Sequence, residues 1–520
     1  MNLFLPDLKR NELIKYAKEL DLSKNQNLLI NVHRNHAFEG VQSVIAPFLH
    51  FADLKAEFNF SSYDDSLSFD EFKEANLELL WLDLSRYKNN TQNFLEERLL
   101  ELRKISQSPI LVLSLGEFQT DKKILNCEIF SVEKLIKEYF NDEEILDLEK
   151  EELTGSKLNN KALIFLAQIL GLSLIPAVIK PALKALVLDL DNTLYQGILG
   201  EDGTDKLKLN SIHQALQEKI QTFKKQGFLL ALASKNEEKD AKKLFETRKD
   251  FILQWEDFDV KMVNWDPKGE NILKIAKRFN INPDAMLFID DNIAELENVK
   301  FTGVKTLLCD ENILYKIKLF PNLLKFSNTQ EDQIRAKDIK ANALREELKS
   351  LGDEEYFQNL EIRLHFSKND KQNIPRISEL LGKTNQFIAN YTRLNLEKVA
   401  QQMQNALIVS VSMSDKLSDS GIIAIFVFSC KEERLCIDDL CISCRALGRK
   451  LETRMFFKAF ELALNFFNLK NTEAKLYYQK GERNTPFLTF LEKISKEMRE
   501  NSALIPFQNL NFKGLVIDES

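Results

Sequence analysis

Short apolar runs recur along this chain, each closed by a cluster of polar residues. In the first third they fall at Leu28 to Val32, Lys55 to Phe60, Leu77 to Leu84, Ile110 to Leu115 and Glu128 to Ser131. Helical spacing of apolar positions separates them. Strands alternating with helices predict a doubly wound α/β sheet over residues 1–160. The most membrane-like stretch follows, Ala162 to Ile179 (ALIFLAQILGLSLIPAVI). It carries Gln168, Ser173 and Pro176 and runs straight into the next strand. It is expected as a buried connecting helix over 161–183, with no membrane span.

From 184 to 325 four further strand runs are expected: Ala185 to Leu188, Phe228 to Ala233, Met262 to Asn264 and Ala285 to Ile289. A polar connector spans 326–358. Thr329 to Asp332 there reads as a helix N-terminus, with a hydroxyl cap and acids in the first turn. The last unit, 359–520, has mixed α/β patterning. Ala406 to Val411, Gly421 to Ser429 and Leu435 to Ile442 read as antiparallel strands. A long amphipathic helix is expected from near Gly448 to about Phe467.

Composition narrows the class. The chain has 520 residues, 44% hydrophobic and 29% charged, as in ordinary multidomain globular proteins. A net charge of −8 does not suit a coat for nucleic acid. Six cysteines are too sparse for a disulfide framework, and the N-terminus lacks a signal-peptide pattern, so a reducing cytoplasm is expected.

The chemistry gathers where the strands of 184–325 end. The first stops at Asp189-Leu190-Asp191-Asn192-Thr193. Two carboxylates two residues apart leave the same edge of the sheet, the edge where open α/β sheets bind ligands. Such a pair suits Mg²⁺ or covalent phosphoryl transfer, although an Asp-x-Asp alone is also a common acidic turn. The second run ends at Ser234, the third is followed by Lys268, and the fourth ends at Asp290-Asp291-Asn292. Asp191 and Ser234 are about 40 residues apart, and a βα unit needs about 30. That gap, and the next, leave no room for a folded cap, so the site is either open or covered by another part of the chain.

The series Asp, Ser, Lys, Asp closely resembles the motifs of the haloacid dehalogenase (HAD) superfamily. The resemblance implies that Asp189 is the nucleophile forming an aspartyl phosphate and Asp191 the general acid/base. It implies that Ser234 grips the phosphoryl group and Lys268 neutralises charge. Asp290, helped by Asp291, would complete a Mg²⁺ site with Asp189 and the Asp191 carbonyl. Asn192, Thr193 and Asn236 would bind substrate.

Further stretches extend the likeness: VLDLDNT with Gly197, Gly200, Glu201, Asp202 and Gly203; Ser234-Lys235-Asn236; FIDDN; Lys383 to Phe387; Ser443-Cys444-Arg445-x-x-Gly448-Arg449; and Arg483-Asn484-x-Pro486. The whole resembles the FkbH-like proteins, HAD subfamily IIIC. This implies a HAD-type Rossmann-like parallel sheet, flanked by an SGNH/flavodoxin-like α/β domain and a GNAT-like α+β domain. It also implies dephosphorylation of a three-carbon donor resembling 1,3-bisphosphoglycerate, with acyl transfer to an acyl carrier protein thiol. The sequence departs at Leu194-Tyr195-Gln196-Gly197 and at Ile388-Ala389-Asn390, where residues near Tyr195 and Phe387 could shape the substrate pocket. A stand-alone phosphatase of a small sugar or acyl phosphate, and a scaffold with a vestigial HAD domain, are the competing readings.

In the last unit, Cys444, Arg445, Gly448 and Arg449 form an Arg-x-x-Gly turn before a helix. It resembles the acyl-CoA turn of GNAT acyltransferases, which implies a phosphopantetheine site. Cys444 there would be a favoured thiolate or a half-buried structural cysteine. Lys450, Arg454 and Lys458, at i, i+4 and i+8, would form a basic docking strip or a solvated face. His33 and His36 read as loop or surface histidines, and the N-terminal domain, with no catalytic serine, reads as non-catalytic.

Overall fold

Three β-sheets follow one another along the chain. The computed structural model describes residues 1–520 except 64–65, 70–72, 88–90, 123, 141–143, 327–340, 342–344, 346–347, 349–351, 385, 393, 471 and 482–483.

The first sheet contains β1 (Gln26–Arg34), β2 (Leu54–Tyr63), β3 (Leu77–Asp83), β4 (Ile110–Leu115) and β5 (Cys127–Ser131), in the order β2-β1-β3-β4-β5. Every pairing is parallel. Strands β3 and β4 are buried at every position. This is why they read as unbroken apolar runs, as in sheets covered on both faces.

The second sheet is also parallel, with β6 (Ala185–Leu188), β7 (Leu229–Ser234), β8 (Val260–Val263), β9 (Met286–Asp290) and β10 (Lys305–Leu308) in the order β10-β9-β6-β7-β8. Strand β6 lies between β9 and β7, so the carboxyl ends of these three strands share one edge. The third run is shifted from its expected place: Asn264 lies outside β8, and its N–H donates to the Ser234 carbonyl at 3.1 Å. Strand β10 escaped the sequence pattern because it is short and only half-buried at three of its four positions.

The apolar helix between these sheets runs from Asn160 to Ile179, has a mean hydropathy of 2.4 and is 83% buried within the protein. The Asn159 side chain caps it, accepting from the Ala162 N–H at 2.8 Å. A Cβ on Gly171 would lie 2.5 Å from Phe48 Cβ, so the glycine allows close approach to the helix Glu39–Phe51. One hydrophobic core runs without a break from β1 and β3 through this helix to Leu186 and Leu188 of β6. The stretch is apolar on all sides because protein surrounds it.

The third sheet has eight strands: β11 (Arg363–Lys368), β12 (Leu407–Ser414), β13 (Asp419–Lys431), β14 (Arg434–Ile442), β15 (Glu473–Tyr477), β16 (Glu497–Arg499), β17 (Ser502–Pro506) and β18 (Val516–Glu519). Their order is β16-β17-β15-β14-β13-β12-β11-β18. Strands β12 to β14 form the expected antiparallel meander, and β15 joins β14 in parallel. The long helix is Glu452–Phe466, and so starts four residues later than the pattern suggested. Gly448 (φ 75°) and Lys450 (φ 61°) adopt left-handed backbone that a helix cannot continue through. The connector helix expected from Thr329 lies almost wholly outside the described residues. Asn280 joins the second and third units, donating to the carbonyls of Cys444 and Leu447.

Candidate active site

The β6 run is apolar until Asp189, whose N–H still pairs with the Ile289 carbonyl at 3.0 Å, so its side chain emerges at the sheet edge. Ser234 and Asp290 close β7 and β9 at the same edge. Lys268 reaches the edge from another element, as the first residue of the helix Lys268–Phe279. Its Nζ lies 3.1 Å from Asp189 Oδ1 and 2.5 Å from Asp290 Oδ2. Asp189, Asp290 and Asp291 each bring a carboxylate oxygen within 4.8 Å of the others. Asp189, Ser234, Lys268 and Asp290 are all buried.

Burial shapes the electrostatics. It pushes the Asp189 carboxyl well up from its usual range; Asp290 adds to this, while the Lys268 ammonium and Ser234 oppose it. Asp291 is raised by burial and by Asp290. Burial alone would lower Lys268, but the charges of Asp189 and Asp290 outweigh it and hold the ammonium above its usual value. Three carboxylates face one ammonium, an excess of two negative charges in a poorly solvated place. Hard oxygen donors with that excess fit a divalent cation such as Mg²⁺. Asp189, Asp290 and Asp291 are the side chains that would hold it.

Asp191 lies beside this cluster. Its Oδ1 accepts from the Tyr195 hydroxyl at 2.7 Å and from the Leu199 N–H at 3.0 Å. Its Oδ2 accepts from Asn236 Nδ2 at 3.0 Å, and the same amide reaches Ser234 Oγ at 3.2 Å. Asn236 therefore bridges Asp191 and Ser234. Asn192 adopts φ 52° and its Oδ1 accepts from the Gly197 N–H at 3.0 Å, fastening the loop. Thr193 is fully buried. Tyr195 is equally buried. It lies four residues past Asp191 in a loop, where no periodicity reveals such a partner.

Among the described residues, no folded cap is inserted between the strands that end at this edge. Between β6 and β7 the chain forms only the helical turn Leu199–Asp202 and the helix Ser211–Lys225. Trp265 and Ile293 stand on the rim, 66% and 62% exposed.

The residues singled out in the third unit are arranged differently from expectation. Arg445 and Arg449 are turned inward, 6% and 3% exposed. The Gly448 N–H is already engaged, donating to Glu452 Oε1 at 2.6 Å. Cys444 precedes the helix by eight residues, so the helix terminus that would favour its thiolate is absent there. The basic strip is neutralised: Lys450 and Arg454 pair with Asp353 at 2.9 and 3.1 Å, and Lys458 pairs with Glu461 and Glu519. Beside the turn lies a cavity of about 560 Å³ lined by Phe387, Leu447, Gly448, Glu452, Thr485 and Lys493, among others.

His33 and His36 are not at the surface. His33 Nε2 lies 2.8 Å from the buried Glu78. His36 stacks on Trp81, and burial drives it down to about 3, which keeps it neutral. The packed interior at the β1 end leaves these side chains no solvent.

No protein-family profile matches the chain, and no curated protein matches its sequence. Among solved structures it is similar to the N-terminal part of a Bacteroides fragilis protein containing a phosphatase domain, complexed with Mg. That match has TM-score 0.50 at 20% identity, over 61% of this chain and 100% of that one. A HAD-family enzyme from Bacteroides thetaiotaomicron, complexed with magnesium and inorganic phosphate, matches 25% of this chain and 94% of its own at 14% identity, TM-score 0.20. The PaiA N-acetyltransferase of Thermoplasma acidophilum with coenzyme A matches 28% of this chain and 99% of its own at 11% identity, TM-score 0.21. Of these only the first likeness carries weight, and it speaks for the fold alone, a multidomain α/β chain with parallel sheets.

Proposed function

We propose that this chain is a Mg²⁺-dependent phosphatase that works through an aspartyl phosphate. The observation that carries the reading is the convergence of Asp189, Asp191, Ser234, Lys268 and Asp290 on one sheet edge. In the first step an Asp189 oxygen attacks phosphorus and the bond to the leaving oxygen breaks. That oxygen takes a proton from the Asp191 carboxyl. In the second step Asp191, now a carboxylate, takes a proton from water as the water attacks phosphorus and frees Asp189. Ser234 and the Lys268 ammonium hold the phosphoryl oxygens through both steps. Bound Mg²⁺ would supply further charge neutralisation there. The magnesium in the Bacteroides fragilis structure supports this choice of ion.

The substrate we propose is a three-carbon acyl donor with two phosphates: the Asp189 route removes the ester phosphate, while the thiol of an acyl carrier protein attacks the acyl carbon and displaces the acyl phosphate as inorganic phosphate, giving up its proton as the thioester forms. The sequence resemblance supports this, and an edge with no cap inserted among the described residues and apolar side chains on its rim suits a substrate borne on another protein. The inward arginines and the occupied Gly448 N–H favour a second reading, a stand-alone phosphatase of a small phosphate ester or acyl phosphate. Incubation with 1,3-bisphosphoglycerate and Mg²⁺, with and without carrier proteins, separates the two. Phosphate release together with a three-carbon adduct in the intact mass of a carrier is expected. Phosphate release with no adduct leaves the second reading, and no phosphate from any donor overturns both.

A further inference from the structure

Asp191 is held by three donors of unequal placement. Oδ1 receives two, the Tyr195 hydroxyl at 2.7 Å and the Leu199 N–H at 3.0 Å, whereas Oδ2 receives one, from Asn236 at 3.0 Å. A carboxyl proton placed on Oδ1 would point at two hydrogens already aimed there. On Oδ2 it meets one donor and still has a lone pair for it. Oδ2 is also the oxygen on the side of Ser234, through the shared Asn236 amide.

The Tyr195 hydroxyl is well placed for this task. The ring is fully buried and stacks on Phe251, with centroids 5.8 Å apart and planes 23° from parallel. The stack and the isolated bridge between Asp191 and Tyr195 fix where the hydroxyl points.

We propose that Tyr195 is a positioning residue for the proposed acid/base, confining the Asp191 proton to Oδ2 and aiming it at the leaving oxygen. The inference rests on the aspartyl-phosphate reading above. In the step it governs, the bond between phosphorus and the leaving oxygen breaks, the Asp191 Oδ2 proton moves to that oxygen, and the Tyr195 hydroxyl remains a donor to Oδ1. Losing the hydroxyl frees the carboxyl to place its proton on either oxygen, so proton delivery suffers while phosphate binding does not.

The test compares two esters with Tyr195→Phe in Mg²⁺: an alkyl phosphate, whose alkoxide leaves poorly without a proton, and 2,4-dinitrophenyl phosphate, whose aryloxide leaves without help. The ratio of their kcat/KM values reports formation of the phosphoenzyme and is independent of how much of a preparation is folded. The expected result is a loss of about 10- to 100-fold for the alkyl ester, carried by kcat with KM unchanged, and less than about threefold for the aryl ester. Equal losses on both esters, or none, overturn the assignment and leave the phosphatase reading standing. A Tyr195→Phe protein that does not fold also overturns it, by making the hydroxyl a requirement of folding. A wild-type enzyme that hydrolyses neither ester overturns the underlying reading and this inference with it.

Discussion

The Lys268 ammonium lies 3.1 Å from the Asp189 carboxylate while also reaching Asp290 at 2.5 Å, so one side chain spans the ends of two neighbouring strands. Lys268→Met would keep much of the stem and remove the charge. Phosphate release should fall by about 10²- to 10³-fold, the range for loss of one preorganised charge contact to a reacting group. It should also lower the thermal midpoint, because buried carboxylates are left without their counter-charge. Unchanged phosphate release in Lys268→Met would remove the lysine from the chemistry.

The carboxylate trio makes metal binding measurable without turnover. Mg²⁺ should raise the thermal midpoint of the wild-type protein, and go on raising it with the logarithm of its concentration once the site is filled. Asp290→Ala should abolish that rise and push the Mg²⁺ needed for half-maximal phosphate release up at least tenfold. Chelation should stop phosphate release in both. A wild-type midpoint indifferent to Mg²⁺ would contradict the metal assignment.

Asp439 links stability to pH in the third unit. Burial pushes its carboxyl up to about 7, despite hydrogen bonds from the Asn390 and Leu440 N–H groups and the Thr392 hydroxyl. The folded state then keeps a proton that the unfolded chain, with an ordinary carboxyl near about 4, gives up. Stability from this group is complete below pH about 4, falls as pH rises toward about 7, and is flat beyond, at about 1.4 kcal/mol per pH unit at most. Asp439→Asn keeps the acceptor for both N–H groups and can donate to Thr392. The variant should lose this pH dependence and be more stable than wild type at pH 8, as read from denaturant midpoints. Parallel pH profiles for the two proteins would contradict it.

The apolar helix gives a packing prediction. A Cβ on Gly171 would meet Phe48 Cβ at 2.5 Å and the Leu49 backbone nitrogen at 3.2 Å, neither able to swing aside as a flexible side-chain tip could. Gly171→Ala should cost about 1–3 kcal/mol, the range for overpacking a filled interior. An unchanged urea midpoint would mean that the two helices do not pack this closely in solution.

The sequence revealed most about the ends of buried strands. Asp189, Ser234 and Asp290 could be found because each abruptly closes an apolar run, and Lys268 because it follows the third such run. Strand β10 was missed because a short, half-buried edge strand has little apolar signal. The start of the Glu452 helix was misplaced because amphipathic spacing continues through a turn whose left-handed residues, Gly448 and Lys450, show only in the backbone. Charge patterning misled in the same region. Lys450 and Arg454 look like a free basic strip until Asp353, about a hundred residues earlier, folds against them. The Tyr195 hydroxyl and the Leu199 N–H were invisible for a related reason: loop geometry, which leaves no period in sequence, brings them to Asp191.

The central claim is that Asp189 becomes covalently phosphorylated. Turning over an acyl phosphate in Mg²⁺, quenching during turnover and reducing with borohydride would convert an aspartyl phosphate into homoserine at that position. Peptide mass spectrometry should find homoserine at position 189 in the wild type. In Asp189→Asn it should find none anywhere in the chain, with phosphate release down by more than about tenfold, as expected for a missing nucleophile. Wild-type turnover with position 189 recovered only as aspartate, or homoserine at a different residue, would contradict the account.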